Sequence, residues 1–167
     1  MLSKKLEEAL NAQINAELWS AYLYLSMSAD CAAKGYIGME NWFHVQFQEE
    51  QDHAMKIFNY LISRGARVDL RPIDKVGKSW ATPLAAFEDT LEHEQVVTKM
   101  INDLYALADK EKEYATQSML NWFIDEQVEE EETAQKYIDA LKMIGNNGFG
   151  LYQFDKELAK RTYTPLV

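Results

Sequence analysis

The sequence predicts an all-α fold: a four-helix bundle with one long crossover between helices two and three and a short fifth helix at the C-terminus. Three observations carry this. Only 7 glycines and 3 prolines interrupt 167 residues, which favours long helices over many short strands. Apolar residues recur at helical spacing through four long segments. The connections between those segments differ in length, and the lengths decide which helices are neighbours.

The first segment runs from about residue 3 to 34, with Ser3 suited to cap it and Gly35 to end it. The second spans about 39 to 64 and stops at Gly65. The third opens at Thr82-Pro83, a capping residue followed by the residue best tolerated in a first helical turn. Glu88 and Asp89 follow near its positive end, and it closes near residue 110. The fourth covers about 113 to 144 and stops at Gly-Asn-Asn-Gly-Phe-Gly; a shorter fifth pattern covers about 151 to 160. Helices one and two are joined by about four residues and helices three and four as tightly, so each pair should be antiparallel.

Between helices two and three lies Ala66 to Ala81, sixteen residues with no helical period. A helix of ~26 residues is ~39 Å long. Sixteen extended residues reach at most ~53–58 Å, enough to cross the whole bundle. Residues 1–167 read as one domain, large enough for a sizeable core.

Composition narrows the function. Hydrophobic residues make up 47% and charged residues 26%, an ordinary globular balance. The net charge of −10 disfavours nucleic acid, whose phosphates need a basic footprint to neutralise them, and suits a soluble protein that attracts cations. Cys31 is the single cysteine, so no intramolecular disulfide is possible. The start, Met1-Leu2-Ser3-Lys4-Lys5, enters a charged amphipathic pattern at once, and no run approaches a membrane span. The expectation is a cytoplasmic protein with no membrane partner.

Each long helix places a polar residue in its apolar stripe. Residues seven or eleven apart share a helix face. Glu17 shares its stripe with Leu6, Leu10 and Tyr24; Glu50 with Phe43, Ala54, Ile57 and Leu61. Glu94 lies among Phe87, Leu91 and Ile101. Gln127 lies with Leu120, Phe123, Ala134 and Ile138, and Glu130 with Phe123, Tyr137 and Leu141. An ionised carboxylate in an apolar core costs several kcal/mol unless paired. No Lys or Arg falls on these stripes, so a bound cation is the simplest counter-charge.

Glu50-x-x-His53 sets a carboxylate and an imidazole one turn apart, able to give one metal two ligands. Many carboxylates with few imidazoles favour iron, manganese or magnesium, and several shared carboxylates favour two adjacent ions. Taken singly, these positions have ordinary explanations. Glu49, Glu126 and Glu129 lie on flanks where solvated charge is common. Tyr24 and Trp122 are explained by core packing, with polar ends that could reach the site. His44 and His93 are expected at the bundle surface or an interface.

At these residues the sequence resembles the bacterial non-haem ferritins. The resemblance rests on Asn15–Tyr24, Phe47–Leu61, Glu92–Leu104, Asn121–Glu131 and Gly150–Leu158, and it covers essentially the whole chain. It implies a ferritin-like bundle in a cage of twenty-four subunits that oxidises Fe(II) with O2 or H2O2 and stores ferric oxyhydroxide. By that resemblance Glu17, Glu50 and His53 match the ligands of a first iron. Glu50 also matches the bridge to a second iron held by Glu94 and Glu130, with Gln127 nearby. Glu49, Glu126, Glu129 and Glu130 match a third, inward-facing iron site. Tyr24 and Trp122 match aromatics beside the centre that donate electrons. Helix four reads Gln127-x-x-Glu130 where a haem bacterioferritin would repeat Glu-x-x-His, so no haem is expected and the second and third sites should be weaker. The competing readings are a haem bacterioferritin, a DNA-protecting mini-ferritin, a di-iron oxygenase, and a structural bundle whose buried acids are protonated.

Overall fold

The computed structural model describes residues 2–166. Met1 and Val167, inside the span read as one domain, lie outside the described residues. Five helices follow in order: α1 Lys4–Ala33, α2 Ile37–Ser63, α3 Pro83–Lys110, α4 Tyr114–Ile144 and α5 Gly148–Leu158.

The expected caps are in place. The Ser3 hydroxyl accepts from the Leu6 amide at 3.1 Å, and the Thr82 hydroxyl from the Ala85 amide at 3.1 Å, with Pro83 at the first position of α3. Gly35 turns the chain out of α1 at φ +84°, a backbone conformation that side chains disfavour.

Two helix starts differ from the expectation. Helix α2 begins at Ile37 although Tyr36 offers no side-chain cap. Its cap comes from α5: the Asp155 carboxylate accepts from the amides of Gly38 at 3.1 Å and Met39 at 2.9 Å. The backbones there approach so closely that a Cβ on Gly38 would sit 1.6 Å from the Asp155 carbonyl oxygen. Helix α5 begins at Gly148, earlier than expected, because Asn147 accepts from the Gly150 amide at 2.9 Å. That local cap overrides the glycines' tendency to break a helix.

Helices α1 and α2 form one antiparallel hairpin, α3 and α4 the other. The crossover runs beside α1 in the same direction. Asn11 donates to the Arg67 carbonyl and accepts from the Asp69 amide; Asn15 donates to the Arg71 and Pro72 carbonyls; Lys34 donates to the Trp80 carbonyl. The crossover therefore delivers the chain to the far end of the bundle, where the Trp80 indole donates to Asp89 at 2.7 Å.

Two apolar clusters fill the bundle. One, around Met27, Trp42, Phe43 and Phe87, lies at the α5 end and takes in Leu158. The other, around Leu10, Ile57, Leu61, Ile101 and Leu120, fills the opposite end. Between them lies a layer of buried polar groups: Gln13, Glu17, Ser20, Gln46, Glu50, His53, Thr90, Glu94, Gln127 and Glu130. No helix among the described residues is long and apolar enough to cross a membrane.

Candidate metal centre

The polar layer is built one helix turn at a time. On α1, Gln13 lies one turn before Glu17 and donates to its Oε1 at 2.8 Å. On α2, Gln46 stands in the same relation to Glu50, donating to its Oε1 at 3.3 Å. The Gln46 amide also donates to both oxygens of Glu130, each at 2.9 Å. His53 closes the turn, its Nδ1 lying 3.3 Å from Glu50 Oε2. On α3, Glu94 accepts from the Tyr24 hydroxyl and from the Gln127 amide at 3.1 Å.

The ligand atoms of Glu17, Glu50 and His53 lie within 4.8 Å of one another, and so do those of His53, Glu126 and Glu130. His53 belongs to both groups: its Nδ1 faces Glu50, and its Nε2 lies 3.9 Å from Glu126. Glu94 is buried beside these groups but is engaged by Tyr24 and Gln127. Gln127 acts as a donor that ties α4 to α3, reaching also the Glu94 carbonyl and the Thr98 hydroxyl. Trp122 packs on His53 with ring centroids 5.3 Å apart. Glu49 and Glu126 are half-buried and Glu129 is exposed, so Glu129 stands apart from the buried layer.

The electrostatics follow from burial. Burial, with the Glu50 charge adding to it, pushes the Glu17 carboxyl up to about 8 against relief from His53 and Gln13. Burial and the Glu50 charge likewise push Glu130 up to about 8. Burial, then Glu50 and Glu130, hold Glu94 well above the carboxylate range. Burial would also raise Glu50, but the His53 imidazolium outweighs it and holds that carboxyl low. Burial would lower His53, yet the Glu50 charge dominates and lifts it to about 10. These shifts favour a charged Glu50–His53 pair and the protonated forms of Glu17, Glu94 and Glu130 in the metal-free layer.

These groups fit a cation. They offer hard oxygen donors and one imidazole, a set suited to iron. The buried Gln46 Oε1 has no hydrogen-bond partner, and its amide group occupies the position between Glu50 and Glu130 where positive charge is wanted.

Some residues were not anticipated. Gln13 and Gln46 were legible as glutamines four residues before each buried carboxylate of the first hairpin. His93, expected at the bundle surface or an interface, is half-buried between α1 and α3. Its Nε2 lies 2.7 Å from Ser20 Oγ, and its ring packs on Trp19 and Tyr24. Burial lowers the pKa of His93. His44 is exposed, as expected. Asp52 accepts from the Tyr163 hydroxyl and the Leu166 amide.

Comparison with known proteins places this arrangement. A match to the ferritin-like domain spans residues 7–144. The chain is 43% identical to the bacterial non-heme ferritin of Staphylococcus aureus over 163 residues, 98% of each chain. It is 44% identical to that of Bacteroides fragilis over 161 residues, 96% of this chain and 100% of the relative. An engineered closed form of the Archaeoglobus fulgidus ferritin superposes with a TM-score of 0.97 at 47% identity, covering 98% of this chain and 100% of the other. The open-pore ferritin from that archaeon superposes at 0.96 and 47%, covering 97% and 100%. A bundle with one long crossover, a carboxylate-rich layer at mid-height and full-length similarity to these proteins together assign this chain to the ferritin family of iron-storage proteins.

Proposed function

We propose that this chain is a ferroxidase subunit that oxidises Fe(II) to Fe(III) at an intra-subunit pair of iron sites and deposits ferric oxyhydroxide inside a 24-subunit cage in the cytoplasm. The observation that supports this most is the charge imbalance of the buried layer. Glu17, Glu50, His53, Glu94 and Glu130 converge from four helices, and no Lys or Arg is buried among the described residues. Such a layer gains when a cation replaces its protons.

In this reading Glu17, Glu50 and His53 bind the first Fe(II) as substrate. Glu50, Glu94 and Glu130 bind the second, with Gln127 holding Glu94 in position. Glu49, Glu126, Glu129 and Glu130 form a third, weaker site on the way out. The anionic oxygens stabilise Fe(III) more than Fe(II) and so favour electron loss. Two adjacent Fe(II) ions supply two electrons in one encounter, taking O2 to the level of peroxide, or H2O2 to water, without releasing superoxide. Tyr24 and Trp122 lie beside the layer as further electron donors. With one imidazole in the layer, oxidised iron is not trapped. No haem takes part.

The test is to mix metal-free protein with Fe(II) in air and follow ferric absorbance. Wild type should oxidise iron rapidly, while Glu50→Ala and His53→Ala should abolish the fast phase. Wild-type rates in both variants would remove these residues from the reaction. The protonated acids would equally serve a purely structural bundle. An anaerobic Fe(II) titration showing no binding would establish that instead.

A further inference from the structure

One of the third-site carboxylates, Glu49, is already paired with an arginine brought in by the C-terminal tail. After α5 the chain turns back along α2. Asn41 donates to the Arg161 carbonyl at 3.0 Å and, more loosely, to the carbonyls of Leu158 and Ala159. Farther on, Tyr163 donates to Asp52 at 2.6 Å and the Leu166 amide donates to the same oxygen at 3.0 Å. Between these anchors the Arg161 guanidinium reaches Glu49, one residue before the buried Glu50. The same guanidinium lies over the Trp42 ring, 4.5 Å from its centroid, and donates to the Trp42 carbonyl at 3.3 Å.

We propose that Arg161 is the resident counter-cation of the Glu49 rim, and that a metal ion taken up by Glu49 must displace its guanidinium. The inference rests on the reading that iron leaves the buried layer past Glu49. Three features support competition over a purely structural ion pair. The pair is only partly shielded, its side chains 23% and 26% exposed, so it can open without stranding a buried charge. A released guanidinium still has the Trp42 ring and carbonyl to rest on. The tail has anchors at Asn41 and Asp52 that do not depend on Glu49, so the arginine can swing while the tail stays docked. Arg161 is thus a positioning and specificity residue: it lowers the affinity of the rim, so that iron passes through instead of stopping there.

The probe is Co(II) added anaerobically to the assembled protein, with bound metal counted by equilibrium dialysis and its coordination followed by visible absorption. Arg161→Gln should tighten the weak class of sites roughly tenfold, the effect expected for removing a partly shielded competing charge beside a divalent ion. The strong class should be unchanged. Arg161→Lys should stay near wild type. Tyr163→Phe, which loosens the tail but keeps the charge, should fall between. Glu49→Gln should remove the weak class and abolish the effect of Arg161→Gln. Identical weak-site affinity in wild type and Arg161→Gln would overturn the proposal, as would an equal shift in the strong class. Because Co(II) binding is read directly, absence of ferroxidase activity would sink the functional reading without deciding this one.

Discussion

The buried layer and its rim carry the same chemical groups on the same helices, yet they neutralise them in different ways. In the layer, burial favours the protonated form of three of the four glutamates, and the fourth pairs with His53. At the rim, Glu49 is partly hydrated and takes its counter-charge from Arg161, which the tail brings from the far end of the sequence. Depth accounts for the difference. Where water is excluded, holding a proton costs less than holding a charge; where water remains, an arginine is enough. A metal-binding protein can thus hold a proton-coupled cluster beside a charge-coupled rim, and on α2 neighbouring residues, Glu50 and Glu49, belong to the two.

Removing the layer's only buried cation should have the largest effect. His53→Leu strands Glu50 and should destabilise the metal-free protein by about 3 kcal/mol in chemical denaturation. A cost below about 1 kcal/mol would mean that the layer behaves like the rim.

The pH dependence of stability comes next. Glu17 and Glu130 move from 4.5 to about 8 on folding, so between those values the folded chain keeps protons that the unfolded chain has lost. Stability must therefore fall as pH rises through that window. His53 moves from 6.5 to about 10, and its contribution, complete below 6.5, is lost toward 10. Glu50 acts oppositely, but only where acid protonates it below its ordinary 4.5. The melting temperature of metal-free protein should decline from pH 5 to pH 9, and bound Zn(II) should flatten the decline. A melting temperature that rises over this range would contradict the protonated layer.

A smaller effect concerns the protons themselves. Adding Zn(II) at pH 7 in weak buffer should release on the order of one proton or more per tightly bound ion. Glu49→Gln should leave that release unchanged, because the rim gives up an arginine and no proton. Weakest of all, Arg161→Gln should alter global stability by less than about 1 kcal/mol, and high salt should erase the difference by screening the pair.

Much of the layer was legible in the sequence because helical periodicity is a local property. Glu17, Glu50, Glu94, Gln127 and Glu130 fall on apolar stripes, and all are buried. Gln13 and Gln46 were legible in the same way, one turn before the carboxylates they serve. The partners of His93 were not, because Trp19, Ser20 and Tyr24 lie on another helix. The start of α2 was also hidden, since Asp155, distant in sequence, supplies its cap.

By itself, then, the sequence determined the helices, their stripes, the tight hairpins and the reach of the crossover, all set by spacing within short windows. Only the tertiary structure decided which carboxylate caps α2 and that Arg161 lies on Glu49. The reason is physical: charge compensation acts through space between residues more than a hundred positions apart, and no local pattern records it.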